Sequence, residues 1–145
     1  MQISGLPTGH GRIARVVVLA LTLPVFSVGQ TGQRHPRAKV VALDSSVKES
    51  SVLNGPPESV SMRSGYIVLS PGKSVGKHST EHHEELLVVL EGTGEMLFKD
   101  GSKLPVKANS AIYCPPETEH DVMNSGNQVL RYVYVVAEVR DVPVR

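Results

Sequence analysis

Residues 77–95 read KHSTEHHEELLVVLEGTGE, with three histidines and a run of acids set directly against the apolar residues 86–90. Thr80 as a cap, with Glu81, Glu84 and Glu85 in a first turn, would suit a helix. The apolar run decides otherwise. It is apolar on every side, contains Val88 and Val89, and stops at Gly92, too soon for a helix of ordinary length. The stretch is therefore read as a buried β-strand. Side chains alternate along a strand, so Glu85, Leu87 and Val89 share one face and Leu86, Val88 and Leu90 the other. One carboxylate is thereby aimed into an apolar interior.

The flanking sequence repeats the strand pattern. YIVLS (66–70) runs up to Pro71-Gly72, EMLF (95–98) to Asp100-Gly101, SAIYC (110–114) to Pro115-Pro116, and QVLRYVYVVAEV (128–139) follows Gly126. Asp100-Gly101 suits a two-residue hairpin turn. Residues 40–43 offer a further short strand, and residues 54–57 a turn. Past residue 40 no apolar pattern keeps helical spacing for three turns. Short strands at intervals of roughly ten residues argue for an all-β barrel or sandwich.

A buried carboxylate is costly unless it is paired, protonated or bound to a cation. Neutralising partners are close in sequence. His78 and Thr80 share a face of an extended segment, His82 and His83 precede Glu85, and His120 follows the Pro115-Pro116 turn. Neutral imidazoles with one carboxylate form a mixed nitrogen and oxygen donor set, suited to divalent iron, manganese, nickel, copper or zinc.

These residues carry a family resemblance. Gly72, His78, Thr80, Glu85 and Gly92 fall on the spacing of the first motif of the cupin superfamily: Gly, five residues, His-x-His, three or four residues, Glu, six residues, Gly. Asn109, Pro115, Glu117, His120 and Asn124 fall on the second: Gly, five residues, Pro-x-Gly, two residues, His, three residues, Asn. Thr80 stands where the family has a second histidine, and Asn109 and Glu117 where it has glycine. The resemblance spans residues 64–137. It implies a single-domain antiparallel jelly-roll barrel over residues 64–145, with a divalent metal held by His78, Glu85 and His120. Threonine is a poor ligand for such metals, so the fourth protein position is vacant, filled by water or taken by a neighbouring histidine. His83, two residues before Glu85 and on its face if the strand begins early, is preferred to His82.

Ahead of the barrel, residues 1–29 read as a signal peptide. Arg12 and Arg15 precede a 13-residue apolar run, Val16 to Val28, and Ser27 and Gly29 sit three and one residues before a cut at Gln30. The run is shorter than the roughly 20 residues a membrane-spanning helix needs. Export is the expected localisation, with residues 30–63 a linker and an N-terminal strand segment. Cleavage would lower the 15 basic residues to 13 against 14 acidic, a formal charge of −1, and nothing in that balance suggests a nucleic-acid partner. Cys114 is the only cysteine, so no intramolecular disulfide can form, and it reads as a small core residue. His10 and His35 are assigned no role.

Cupins include dioxygenases, isomerases, decarboxylases and sugar-binding proteins, so the resemblance does not choose the chemistry. Two readings stand. One is a metal-dependent enzyme of dioxygenase or isomerase type acting on a small polar molecule. The other is a non-catalytic small-molecule or sugar-binding protein, favoured by Thr80. A homodimer is expected, with residues 128–139 supplying an edge. If histidines hold a metal, affinity should fall as the medium is acidified through about pH 6.5.

Overall fold

A computed structural model describes residues 36–139, so the signal segment expected at residues 1–29, together with His10 and His35, lies outside the described residues. Nine strands follow one another: β1 (Glu49–Asn54), β2 (Arg63–Leu69), β3 (His78–Ser79), β4 (His83–Glu91), β5 (Thr93–Phe98), β6 (Lys103–Lys107), β7 (Ser110–Cys114), β8 (Glu119–Met123) and β9 (Leu130–Glu138). They form two antiparallel sheets, β1-β2-β9-β4-β7 and β3-β8-β5-β6. From β2 to β9 the chain changes sheet at every step except the β5–β6 hairpin. The result is an all-β jelly roll whose inner faces enclose one core of Ile67, Leu69, Leu87, Met96, Val122 and Leu130, among others.

β4 shows how the alternation is used. Glu85, Leu87 and Val89 are buried, whereas Leu86, Val88 and Leu90 are 38–45 % exposed on the outer face. The run is therefore apolar on both faces but enclosed on one. In register, Glu85 stands between Val136 of β9 and Cys114 of β7, and Leu87 between Tyr134 and Ile112. Register carries the weight here, because a one-residue slip would turn Glu85 and Leu87 outward.

Four local expectations are corrected. Residues 40–43 are irregular: Val40 is 99 % exposed, with no neighbouring strand to cover it, and the first strand starts at Glu49. The Asp100-Gly101 hairpin has a three-residue loop, with Gly101 N–H donating to Phe98 O and Phe98 N–H to Ser102 O. Gly101 takes the left-handed conformation (φ +84°) that such a bulged loop requires. The last long strand is not an edge, since β9 is bonded to β2 on one side and β4 on the other. The N-terminal strand segment is part of the barrel wall, because β1 pairs with β2 along its length.

Two motif positions are explained by backbone geometry. Asn109 (φ +62°) and Glu117 (φ +57°) both adopt the left-handed conformation, which is why glycine is the family residue there. Asparagine tolerates it readily and glutamate does so at a modest cost.

Candidate metal centre

His78 of β3 and His120 of β8 are direct register partners in an antiparallel pair, so both side chains leave the same face. Their rings lie 4.4 Å apart between centroids, tilted by 58°. Glu85 approaches from β4 in the opposite sheet. Its Oε2 is 3.3 Å from His120 Nε2 and 3.9 Å from His78 Nε2. One donor atom from each residue lies within 4.8 Å of the others, close enough for one ion to touch all three.

Both imidazoles are oriented by main-chain carbonyls. His78 Nδ1 is 3.0 Å from Gly76 O, and His120 Nδ1 is 3.3 Å from Thr118 O. A carbonyl can only accept, so each neutral ring carries its proton on Nδ1 and turns the Nε2 lone pair toward the cluster. This is the arrangement by which outer partners prepare metal-binding histidines. His120 Nε2 is fully buried, and among the described residues it is the buried side-chain polar atom left without a hydrogen bond. Glu85 lies beside it, but not in hydrogen-bonding alignment. A buried orphan nitrogen is costly, and a cation at this point would satisfy it.

Without a cation the three groups share protons instead. Burial disfavours the Glu85 anion, but His120 and His78 outweigh burial and hold its pKa at about 2. Burial likewise opposes charge on His120, and Cys114 and Glu85 override it, raising its pKa to about 10. Glu85 also raises His78, against a smaller opposing effect of burial. The cluster therefore favours positive charge beside Glu85, whether carried by protons or by a metal.

His83 does not join the cluster. It lies on the inward-facing side of β4, as expected, but at the start of the strand, one pleat repeat (roughly 7 Å) from Glu85. His82 is also outside: it is exposed, with Nδ1 3.0 Å from Glu117 Oε1. Thr80 is not a spare ligand. Its buried hydroxyl donates to Pro115 O and accepts from Thr118 N–H, both at 2.9 Å, tying the His78 segment to the turn that leads to His120. Asn124 closes the second motif from a fully buried position, donating to Leu69 O and Gln128 O and accepting from Gly126 N–H. Cys114 is buried in the core, with Sγ 3.3 Å from Met96 Sδ. The orienting carbonyls of Gly76 and Thr118 had no sequence signal, since every residue carries one.

The cluster opens onto a pocket of about 300 Å³, walled by Ile67, Val75, Tyr132, Tyr134 and Val136, with Glu49 at its edge. None of Tyr132, Tyr134 and Glu49 belongs to a motif that marks it as a pocket residue in the sequence. The role of Glu49 depends on a strand pairing too irregular to read from the sequence.

A jelly roll with two histidines and a glutamate converging at the mouth of its lumen defines a barrel of the double-stranded β-helix class whose donor set could hold a metal ion. A family model for the cupin domain matches residues 65–136, and the chain belongs to the cupin superfamily. An oxalate-binding protein of Thermotoga maritima is 32 % identical over 68 residues, which are 47 % of this chain and 55 % of that protein. The chain spans about half the length of the curated relatives it matches. A conserved-barrel cupin of Salinispora arenicola superposes with a TM-score of 0.56 at 24 % identity, covering 69 % of this chain and 82 % of its own. A double-stranded β-helix protein of Klebsiella pneumoniae gives 0.60 at 23 %, covering 70 % and 91 %.

Proposed function

We propose that the protein binds one divalent transition metal through His78 Nε2, Glu85 and His120 Nε2, and acts through it on a small polar molecule held in the adjacent pocket. The observation that carries this reading is the convergence of three donors around an orphaned, carbonyl-oriented imidazole nitrogen. When bound, the metal supplies Lewis-acid polarisation of ligand oxygen atoms or, if it is iron, redox chemistry with dioxygen. The chain supplies the rest. Gly76 O and Thr118 O fix the imidazoles, Thr80 locks their two segments together, and Ile67, Val75 and Val136 give the pocket an apolar wall. With three protein donors, coordination positions remain for a ligand, the condition for dioxygenase- or isomerase-type activity.

A second reading, non-catalytic binding of a sugar or other small molecule, is favoured by Thr80: its hydroxyl is committed to structure and the family's second histidine is missing. The relative named for oxalate binding supports small-molecule recognition under either reading. Export is proposed from the leader-like residues 1–29, and N-terminal sequencing of purified protein tests it. A homodimer is proposed from the half-exposed Leu86, Val88 and Leu90 on the outer face of the five-stranded sheet, with light scattering as its test.

Element analysis of the purified chain, followed by chelation and calorimetric titration with zinc, manganese, nickel and iron, tests the metal. A chain that takes up none of them refutes the proposal. Oxygen uptake and product analysis against a panel of small polar substrates then separate catalysis from binding. Loss of turnover on Glu85→Ala with the fold retained marks an enzyme.

A further inference from the structure

The pocket beside the cluster has an uneven charge lining. Glu49 and Glu85 contribute carboxylates, His78 an imidazole, and no lysine or arginine lines it. Glu49 is brought there by register: it stands opposite Ile67, which stands opposite Tyr132, so all three share the concave face of the five-stranded sheet. The adjoining row contains Gly65 and Tyr134. A Cβ at Gly65 would lie 2.6 Å from the Tyr134 hydroxyl and ring, so the phenol fits only because position 65 has no side chain. Gly65 is thus the seat that lays Tyr134 along the pocket wall. Burial first, and then Glu49, raise the pKa of Tyr134 above its ordinary value of 10.0, so its hydroxyl is protonated and free to donate near neutral pH.

We propose that this pocket selects its ligand by charge, accepting an uncharged hydrogen-bonding molecule and turning away small dianions, with Glu49 as the selecting group and Tyr134 as a ligand donor. The inference rests on the metal reading above. A divalent cation, ionised Glu85 and two neutral imidazoles leave one net positive charge. Glu49 cancels it before any ligand enters. A neutral ligand keeps the pocket balanced, whereas a dianion leaves two unmatched negative charges with no basic side chain to meet them. The family relationship alone would not suggest this, because a relative is named for binding oxalate, a dianion.

The test uses the full chain loaded with zinc or nickel and two probes of similar size, oxalate and neutral glycolamide, titrated by calorimetry. Glu49→Gln should tighten oxalate by roughly threefold to tenfold, the scale for removing one like charge across a partly solvated pocket, and leave glycolamide unchanged. Glu49→Lys should tighten oxalate further, and added salt should shrink both gains. Tyr134→Phe should weaken glycolamide by about fivefold, the loss of one hydrogen bond. Metal affinity, titrated without either probe, is the control, and Glu49 lies on an exposed edge where both substitutions are compatible with folding. Metal uptake with an oxalate-to-glycolamide ratio that neither Glu49 variant moves overturns charge selection alone. Failure of the unmodified chain to bind metal overturns the metal reading, and this inference with it.

Discussion

Replacing Glu85 with glutamine removes one charge and almost no volume from the centre of the site. The Glu85 carboxyl is held at about 2 against an ordinary 4.5. Each tenfold change in acidity corresponds to about 1.4 kcal/mol, so the ionised form gains about 3 kcal/mol from its two imidazole neighbours, net of burial. This is a ceiling for the metal-free chain, because the dipole of the amide retains part of the attraction to the imidazoles. The sign sets the pH window. A depressed carboxyl stabilises the fold above 4.5 and loses that contribution as pH falls toward 2, whereas a raised His120 contributes fully below 6.5 and loses its contribution as pH rises through about 10. Both partners are charged near pH 5.5. At that pH, in chelator, Glu85→Gln should lower stability by up to about 3 kcal/mol, or roughly 10–20 °C in Tm for a domain of this size. The gap should close as the medium approaches pH 2. Saturating zinc should raise the Tm of the parent chain by binding linkage and that of the variant far less. Equal melting of the two chains at pH 5.5, with equal gains from zinc, would refute the charge-coupled cluster.

Three further outcomes are expected. Because His78 and His120 are both raised, a metal must displace protons, so apparent affinity should keep rising with pH above 7 rather than levelling near 6.5, by up to ~10-fold per pH unit for each proton displaced; calorimetry in buffers of different ionisation enthalpy that counts no proton release would contradict it. Thr80→Ala should cost about 1–3 kcal/mol in urea denaturation, from an unpaired Pro115 carbonyl and Thr118 amide, and Thr80→Ser should recover most of it; an Ala variant as stable as the parent would dismiss the clamp. His83→Ala should leave metal affinity unchanged while His78→Ala lowers it by at least ~10-fold; a loss on His83→Ala would return that residue to the ligand set.

Much of the protein was legible before folding was considered, because strands impose a two-residue period and turns demand particular residues. The inward row Glu85, Leu87 and Val89, the stops at Gly92 and Pro115, and the motif spacing around His78, Glu85 and His120 are all local facts of the chain. The pairing of β3 with β8 across some forty residues is not, yet it alone brings the two imidazoles side by side. The same holds for Thr80, whose missing imidazole was visible but whose hydroxyl had no assignable partner until the Pro115 turn was folded against it. His83 had the right parity and the wrong distance, since parity is set by the backbone period and reach by position along the strand. Glu49 and Tyr134 acquired a role only through cross-strand register, a relation between segments far apart in sequence. Periodicity and motif spacing belong to the sequence by itself, whereas coincidence in space, on which a shared ion and a charge-selective pocket both depend, is decided by which distant backbones hydrogen-bond to one another.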